Sequence, residues 1–271
     1  MTRNIAIRGS KKNPQFRIEL LKKFGASNDY KHVGNDETGY YYINFHNEIV
    51  CNNPDDVPAE FIKSEGLLPI LFSTEMVRSI LSGCKKKTRR TRGLEAINKN
   101  PSHWDIFESK NEGIFTLQHL DHTETYADVL CPYGQPGDIL WVRETYGINE
   151  LLPYIPEYVV YKTDFNPEDM IAWKWKPSIH MPFEAARIFL RIKSVRVERL
   201  QDITEKDAIS EGIKVLNSSI PPNIVYQAPI LNHHGCSFHA KSEFGTLWES
   251  INGRGSWREN PWVWVVEFEK L

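Results

Sequence analysis

From Gly83 the chain reads Gly-Cys-Lys-Lys-Lys-Thr-Arg-Arg-Thr-Arg, and six of the eight residues from Lys85 to Arg92 are cationic. In extended backbone, residues 86, 88, 90 and 92 share one face and 85, 87, 89 and 91 the other. Unpaired charges are costly to bury, so the segment needs water or carboxylates around it. A cationic strip beside a helix end suits a phosphate, a carboxylate or an RNA backbone. The plainer alternative is a solvated basic loop or edge strand, whose charges discourage aggregation. A second segment, residues 204–213, opens with Thr204 followed three residues later by Asp207, a weaker form of the capping box. Glu211 then falls near the helix C-terminus, where a negative charge is slightly unfavourable; taken alone it reads as an exposed surface Glu, and the conflict is a weak pointer to a cationic partner. A third, residues 173–182, carries Trp175 and Lys176 just before Pro177, and Ser178 and His180 between the restrictive Pro177 and Pro182. It offers a stacking surface, a cation, a hydroxyl and a titratable ring, as the lining of a pocket for a planar ligand would; the plainer alternative is a structural crossover whose Trp residues cover the barrel. A fourth, His233 to His239 with Cys236, has ligand types that suit zinc. No second cluster accompanies it, so no metal or other cofactor is expected.

The elements that must position these groups follow from periodicity and punctuation. The chain has 271 residues, 41% hydrophobic and 25% charged, and a net charge of -2. This is enough for one large domain or two small ones, and it supplies no strong global field for nucleic acid. No apolar run is long enough to span a bilayer, and no secretory signal is read at the N-terminus. A cytoplasmic protein with its four cysteines reduced is expected.

Residues 1–65 read as a small α+β unit. Ile5 to Ile7 form a strand, a helix opens at Asn13-Pro14, a hairpin joins residues 40–45 to 48–51, and a short helix covers 58–65. Residues 67–271 read as a larger module. It has a strand ending near Phe72, a helix through Met76, Val77, Ile80 and Leu81 stopped by Gly83, and a Pro136-Gly137 turn into a strand from Ile139. Further strands are expected at 158–161, at 187–199 with a break before Val195, and at 262–268, with a helix through Phe244, Leu247, Trp248 and Ile251. Residues 93–125 read as an insertion and 213–240 as an irregular stretch. Short strands with few helices predict a small, partly open β-barrel.

Residues 80–90, Ile-Leu-Ser-Gly-Cys-Lys-Lys-Lys-Thr-Arg-Arg, resemble the opening motif of the ASCH domain, a PUA-like β-barrel. The Pro136-Gly137-Asp138-Ile139-Leu140 turn, the 204–213 helix ending at Glu211 and the closing strand at 264–268 resemble that family's later motifs in order. Residues 176–182 and 260–264 resemble phage and prophage ASCH-like proteins, which implies a bacterial host or a phage-infected cell as the setting. The resemblance implies an α+β fold with a PUA-like mixed barrel and short flanking helices over residues 67–271, with insertions near 93–125 and 213–240. Its catalytic trio of Lys, Thr and Glu falls on Lys85, Thr88 and Glu211. It implies an amidohydrolase acting on an N4-acylated cytidine, with a nucleoside or RNA as partner; Lys86, Arg90, Trp175, Lys176, Ser178 and His180 are expected as substrate contacts from their own side-chain chemistry. The alternatives are an RNA-binding module, a single-stranded RNA ribonuclease, or a phage-derived adaptor whose N-terminal unit docks a protein.

Overall fold

The computed structural model describes five short strands before residue 65, and then residues 67–110, 114–122, 124–148, 159–165, 174–217, 224–230 and 235–271. The N-terminal strands are β1 (Ile5–Arg8), β2 (Tyr30–His32), β3 (Tyr40–Ile43), β4 (Ile49–Asn52) and β5 (Ile62–Ser64), in the sheet order β2-β4-β3-β1-β5. The expected hairpin is present as the antiparallel β3–β4 pair, with Tyr41 opposite Cys51. Residues 62–64 are not helical as expected; they pair parallel with β1, Ile5 opposite Ile62. The helix expected at Asn13-Pro14 lies outside the described residues.

The second module is built on the sheet β6-β11-β14-β17-β7, formed by β6 (Leu67–Leu71), β7 (Lys87–Arg90), β11 (Ile139–Arg143), β14 (Phe189–Arg199) and β17 (Trp262–Lys270). Pro136 and Gly137 make the turn into β11: the Asp138 N–H donates to the Gln135 carbonyl at 3.0 Å, and Gly137 takes a φ of +97° that a residue with a Cβ resists. The break in β14 is a register shift between Ile192 and Ser194 against β17, which keeps Ile192 and Val197 buried. In β17, Trp262 to Val266 are all buried, so this central strand is apolar on both faces.

Helix α1 (Thr74–Leu81) is capped by the Ser73 hydroxyl, which accepts from the Met76 N–H. It buries Met76, Val77 and Ile80 on the sheet together with α2 (Glu205–Ser210) and α3 (Ala240–Asn252), through Ala208, Phe244, Leu247 and Trp248. Ile251, expected on the buried face of α3, is 59% exposed.

The α+β class holds. A closed barrel is not formed by the strand ladders of the described residues, because β6 and β7 are both sheet edges. A side chain joins them instead: Arg90 Nη2 donates to the Leu71 carbonyl at 2.7 Å. Residues 93–125 are more regular than their polar composition suggests. They hold β8 (Trp104–Lys110) and β9 (Ile114–His119), which form a three-stranded antiparallel sheet with β10 (Tyr126–Leu130). Its inner face packs on the core through Leu117 and through Phe115, whose ring meets Trp264 at 5.6 Å. A strand pair also crosses the stretch read as irregular, β15 (Lys214–Asn217) with β16 (Ile224–Gln227). The remaining pair, β12 (Tyr146–Ile148) with β13 (Val159–Tyr161), matches the strand expected near 158–161. No helix of the described residues is long and apolar enough to cross a membrane.

Candidate active site

Lys85 stands just before β7, and its backbone is tied on both sides. Its N–H donates to the Ser79 carbonyl of α1 at 2.9 Å, and the next N–H, of Lys86, donates to the Ser210 carbonyl of α2 at 2.7 Å. These bonds draw the ends of two helices around one side chain. The Lys85 ammonium reaches the C-terminus of α2, where Nζ donates to the Glu211 backbone carbonyl at 2.8 Å and to Glu211 Oε2 at 2.7 Å. The last carbonyls of a helix lack intrahelical donors, so the first bond satisfies a group that would otherwise be orphaned. The cationic partner that Glu211 requires at a helix end is therefore Lys85.

The pair is shielded, with side-chain exposures of 2% for Lys85 and 3% for Glu211. Burial pulls the Lys85 amine below its ordinary value of 10.5; the Glu211 carboxylate opposes this, while Arg90 and Arg89 add to it. A neutral amine has two N–H groups and one lone pair. Glu211 accepts from two positions on Nζ, which leaves the third for a proton to be gained or lost.

Glu211 is held from its other side by Arg89, which sequence reasoning left out of the site. Arg89 Nη1 donates to Glu211 Oε1 at 3.0 Å, Nη2 meets Glu198 Oε1 at 2.5 Å and Asp207 Oδ2 at 3.4 Å, and the side chain is wholly buried. Burial works against the Arg89 charge, yet Glu211 and Glu198 raise its pKa further. Lys87 pairs with Asp207 at 2.7 Å and Arg196 with the same carboxylate at 3.0 Å. Burial acts to raise the Asp207 carboxyl, but Lys87, Arg89 and Arg196 hold it below its ordinary value. Lys85, Lys87 and Arg89, which alternate along the chain, are thus neutralised by carboxylates from β14, α2 and its C-cap, and do not form an open cationic strip.

Thr88 is buried on β7 opposite Val266 of β17. It lines a cavity of about 290 Å3 with Lys85, Arg89, Arg90, Arg92 and Glu211. Phe72, Tyr133, Phe244 and Trp248 supply the aromatic part of the wall. Among the described residues the Thr88 hydroxyl has no hydrogen-bond partner. Arg90 lies over the Phe72 ring at 5.2 Å, and its Nε is buried without a partner. Burial lowers the Arg90 pKa, and Tyr133 and Glu211 oppose that shift. Ligand pockets start near roughly 300 Å3, so this one suits a small, largely planar molecule. A neighbouring hollow of about 340 Å3 shares Ser73, Met76, Leu247 and Ile251 with it.

The cavity gathers Lys85, Thr88, Glu211 and Arg90 of the expected site. It does not gather the others. Lys86 is exposed, and Trp175, Lys176, Ser178 and His180 are absent from the cavity walls. Those four belong to a packed crossover beside β12. Trp175 meets Phe165 edge-on at 5.5 Å, the Lys176 N–H donates to the Tyr146 carbonyl at 2.7 Å, the Ser178 carbonyl accepts from Met181, and the His180 carbonyl accepts from the Tyr146 hydroxyl at 3.0 Å. Arg143 Nη2 also donates to the Ile179 carbonyl. Met181 is buried with Tyr146 and Ala185, which anchors the segment on the core, while Ser178 is half-buried and His180 is exposed. Of the zinc-like segment, His233 and His234 lie outside the described residues, and Cys236 and His239 are exposed. Cys84, Cys131 and Cys236 are free, and burial pushes the Cys131 thiol up to about 11.

Gly212 makes the close approach possible. Its φ is +103°, and a Cβ there would stand 3.2 Å from Ser79 Cβ and 3.5 Å from Lys85 Cβ. Gly212→Ala is expected to cost about 1–3 kcal/mol in urea denaturation, from backbone strain and crowding at the Glu211 C-cap. A cost within experimental error would show that this contact is not needed.

No family model, curated protein or solved structure matches the chain.

Proposed function

We propose that the chain is an ASCH-like, nucleobase-directed amidohydrolase that removes an acyl group from N4-acylated cytidine. The observation that carries this is the buried Lys85–Glu211 contact of 2.7 Å, on a small cavity that Thr88 also lines. A PUA-like barrel for residues 67–271 is supported by the curl that brings edge strands β6 and β7 within reach of the Arg90–Leu71 hydrogen bond. The size of the cavity favours a nucleoside over a long strand. The internal neutralisation of Lys85, Lys87 and Arg89 weakens the case for an RNA-gripping strip.

In the proposed reaction the Lys85 amine takes the hydroxyl proton of Thr88 as Thr88 Oγ1 attacks the acyl carbon. The amide C–N bond then breaks, Lys85 returns the proton to the exocyclic nitrogen, and cytidine leaves. Water attacks the acyl-threonine with Lys85 again as base, releasing the carboxylate and restoring the hydroxyl. Both oxygens of Glu211 are engaged, one by Lys85 and one by Arg89. Glu211 therefore holds the amine and is not the acid that protonates the leaving group. Arg90 contacts the base or the acyl oxygen.

The test is incubation of the protein with N4-acetylcytidine and, separately, with single-stranded RNA, with products separated by liquid chromatography. Cytidine and acetate are expected; RNA fragments without acetate would replace this reading with a ribonuclease. The reaction needs a neutral Lys85, so kcat/KM rises with pH through the Lys85 pKa. Because burial lowers that pKa, the rise is expected below 10.5. Glu211→Gln removes the group that raises it, so the remaining activity should rise at a still lower pH. A limb that stays put in Glu211→Gln would remove Lys85 as the base.

A further inference from the structure

Three of the nine histidines meet at one corner of the three-stranded sheet, far in sequence from the zinc-like segment at 233–239. His103 closes a 3-10 turn, Pro101–His103, just before β8. His119 ends β9, and Asp121 and His122 follow it in the connection to β10. The two segments are clamped by a backbone bond from the Leu120 N–H to the His103 carbonyl at 2.7 Å. His103 Nδ1 stands 2.9 Å from Asp121 Oδ2. The His119 ring is fixed edge-on against Trp104 at 5.0 Å, with the His122 ring 5.0 Å away. One ligand atom each from His103, His119 and Asp121 lies within 4.8 Å of the other two.

We propose that His103, His119 and Asp121 form a site for a divalent transition-metal ion, with Zn2+ as the leading candidate. Imidazole and carboxylate together suit zinc, copper or nickel, whereas calcium and magnesium prefer all-oxygen shells. Tetrahedral ligands about 2.0–2.2 Å from an ion stand roughly 3.3–3.6 Å from one another, so binding parts His103 Nδ1 and Asp121 Oδ2 slightly from their 2.9 Å contact and draws His119 in. The ion takes the place of the proton between His103 and Asp121. His119 Nδ1 accepts long hydrogen bonds, 3.3 and 3.2 Å, from the Asp121 and His122 N–H groups, which set the ring's orientation. His122 or water completes the shell.

The site is independent of the proposed deacylation, and its role is that of a clip. The Pro101 carbonyl, on the same turn as His103, accepts from Arg199 Nη1 and from Trp262 Nε1, both at 2.9 Å. Pro101, Asn98 and Lys99 also wall a hollow that shares Thr91, Trp248 and Asn252 with the candidate active site. An ion at His103 therefore stiffens one wall beside the site without touching the reacting groups.

The experiment is calorimetric titration of the metal-stripped full chain with ZnCl2, paired with thermal melting. One ion per chain and a rise in Tm are expected. His119→Ala and Asp121→Asn should each weaken binding about tenfold or more, while Cys236→Ser and His239→Ala leave it unchanged. CaCl2 should give no saturable heat. Absence of saturable zinc binding would overturn the proposal, as would equal affinity in the His119 and Asp121 variants or loss only in the Cys236 and His239 variants.

Discussion

Lys85→Met lowers kcat for N4-acetylcytidine by about 10²–10⁴, the range for removing a positioned general base. KM changes little, because the amine acts on the Thr88 hydroxyl and not on the pyrimidine. Met is close to Lys in length and is apolar, so it fills the same buried space. Glu211 keeps Arg89 as a partner at 3.0 Å, and the fold survives the change. Thr88→Val removes the hydroxyl at nearly constant shape and is expected to reduce kcat comparably. Thr88→Ser, which keeps an attacking oxygen, retains most of the rate. The measurement is cytidine release under saturating substrate. Full turnover in Lys85→Met or Thr88→Val would remove these residues from the chemistry.

The second large effect is on stability, and it is asymmetric. Glu211→Gln leaves two cations, Lys85 and Arg89, facing a neutral amide in a shielded site. Breaking a buried pair by removing one partner costs about 3–5 kcal/mol, because the remaining charge is left uncompensated. Arg89 still has Glu198 and Asp207, but Lys85 has no other carboxylate bonded to it among the described residues. In Lys85→Met the loss is smaller, about 1–3 kcal/mol, since the main deficit is the buried Glu211 carbonyl without its donor. Urea denaturation at neutral pH should rank Glu211→Gln well below Lys85→Met. Equal costs would mean that Arg89, not Lys85, carries the electrostatics of this carboxylate.

Much of this arrangement was legible because local rules were strained in visible places. Ile192 and Val195 cannot sit in one uninterrupted alternation, and the register shift occurs between Ile192 and Ser194. Thr204 caps a helix whose end carries an acid; that conflict only hints at a cation, and an exposed Glu is the simpler choice until Lys85 stands against it. Arg89 was not legible as a buried residue, since its partners Glu198, Asp207 and Glu211 lie more than a hundred residues away. Without them, a run of basic residues reads as a solvated or nucleic-acid-binding face. The Trp175–His180 loop stayed ambiguous because aromatic, hydroxyl and imidazole groups serve a pocket and a packed crossover equally well. Its contacts with Phe165 and Tyr146 place it beside β12, away from the cavity that Lys85 lines. The β8–β9 hairpin was missed because its outer face is exposed and Ile106 and Phe107 on β8 point to no buried stripe. The pairing of His103 with Asp121 depends on a sheet corner that no short-range pattern announces.

The central claim is that one small cavity brings an acylated pyrimidine to Thr88 and Lys85. A crystal structure of Lys85→Met with N4-acetylcytidine tests it most directly. The account predicts the nucleoside between Thr88, Arg90 and Tyr133, with the acyl carbon roughly 3–3.5 Å from Thr88 Oγ1. A nucleoside seated instead on the Trp175–His180 loop, or an acyl group turned away from Thr88, would contradict it.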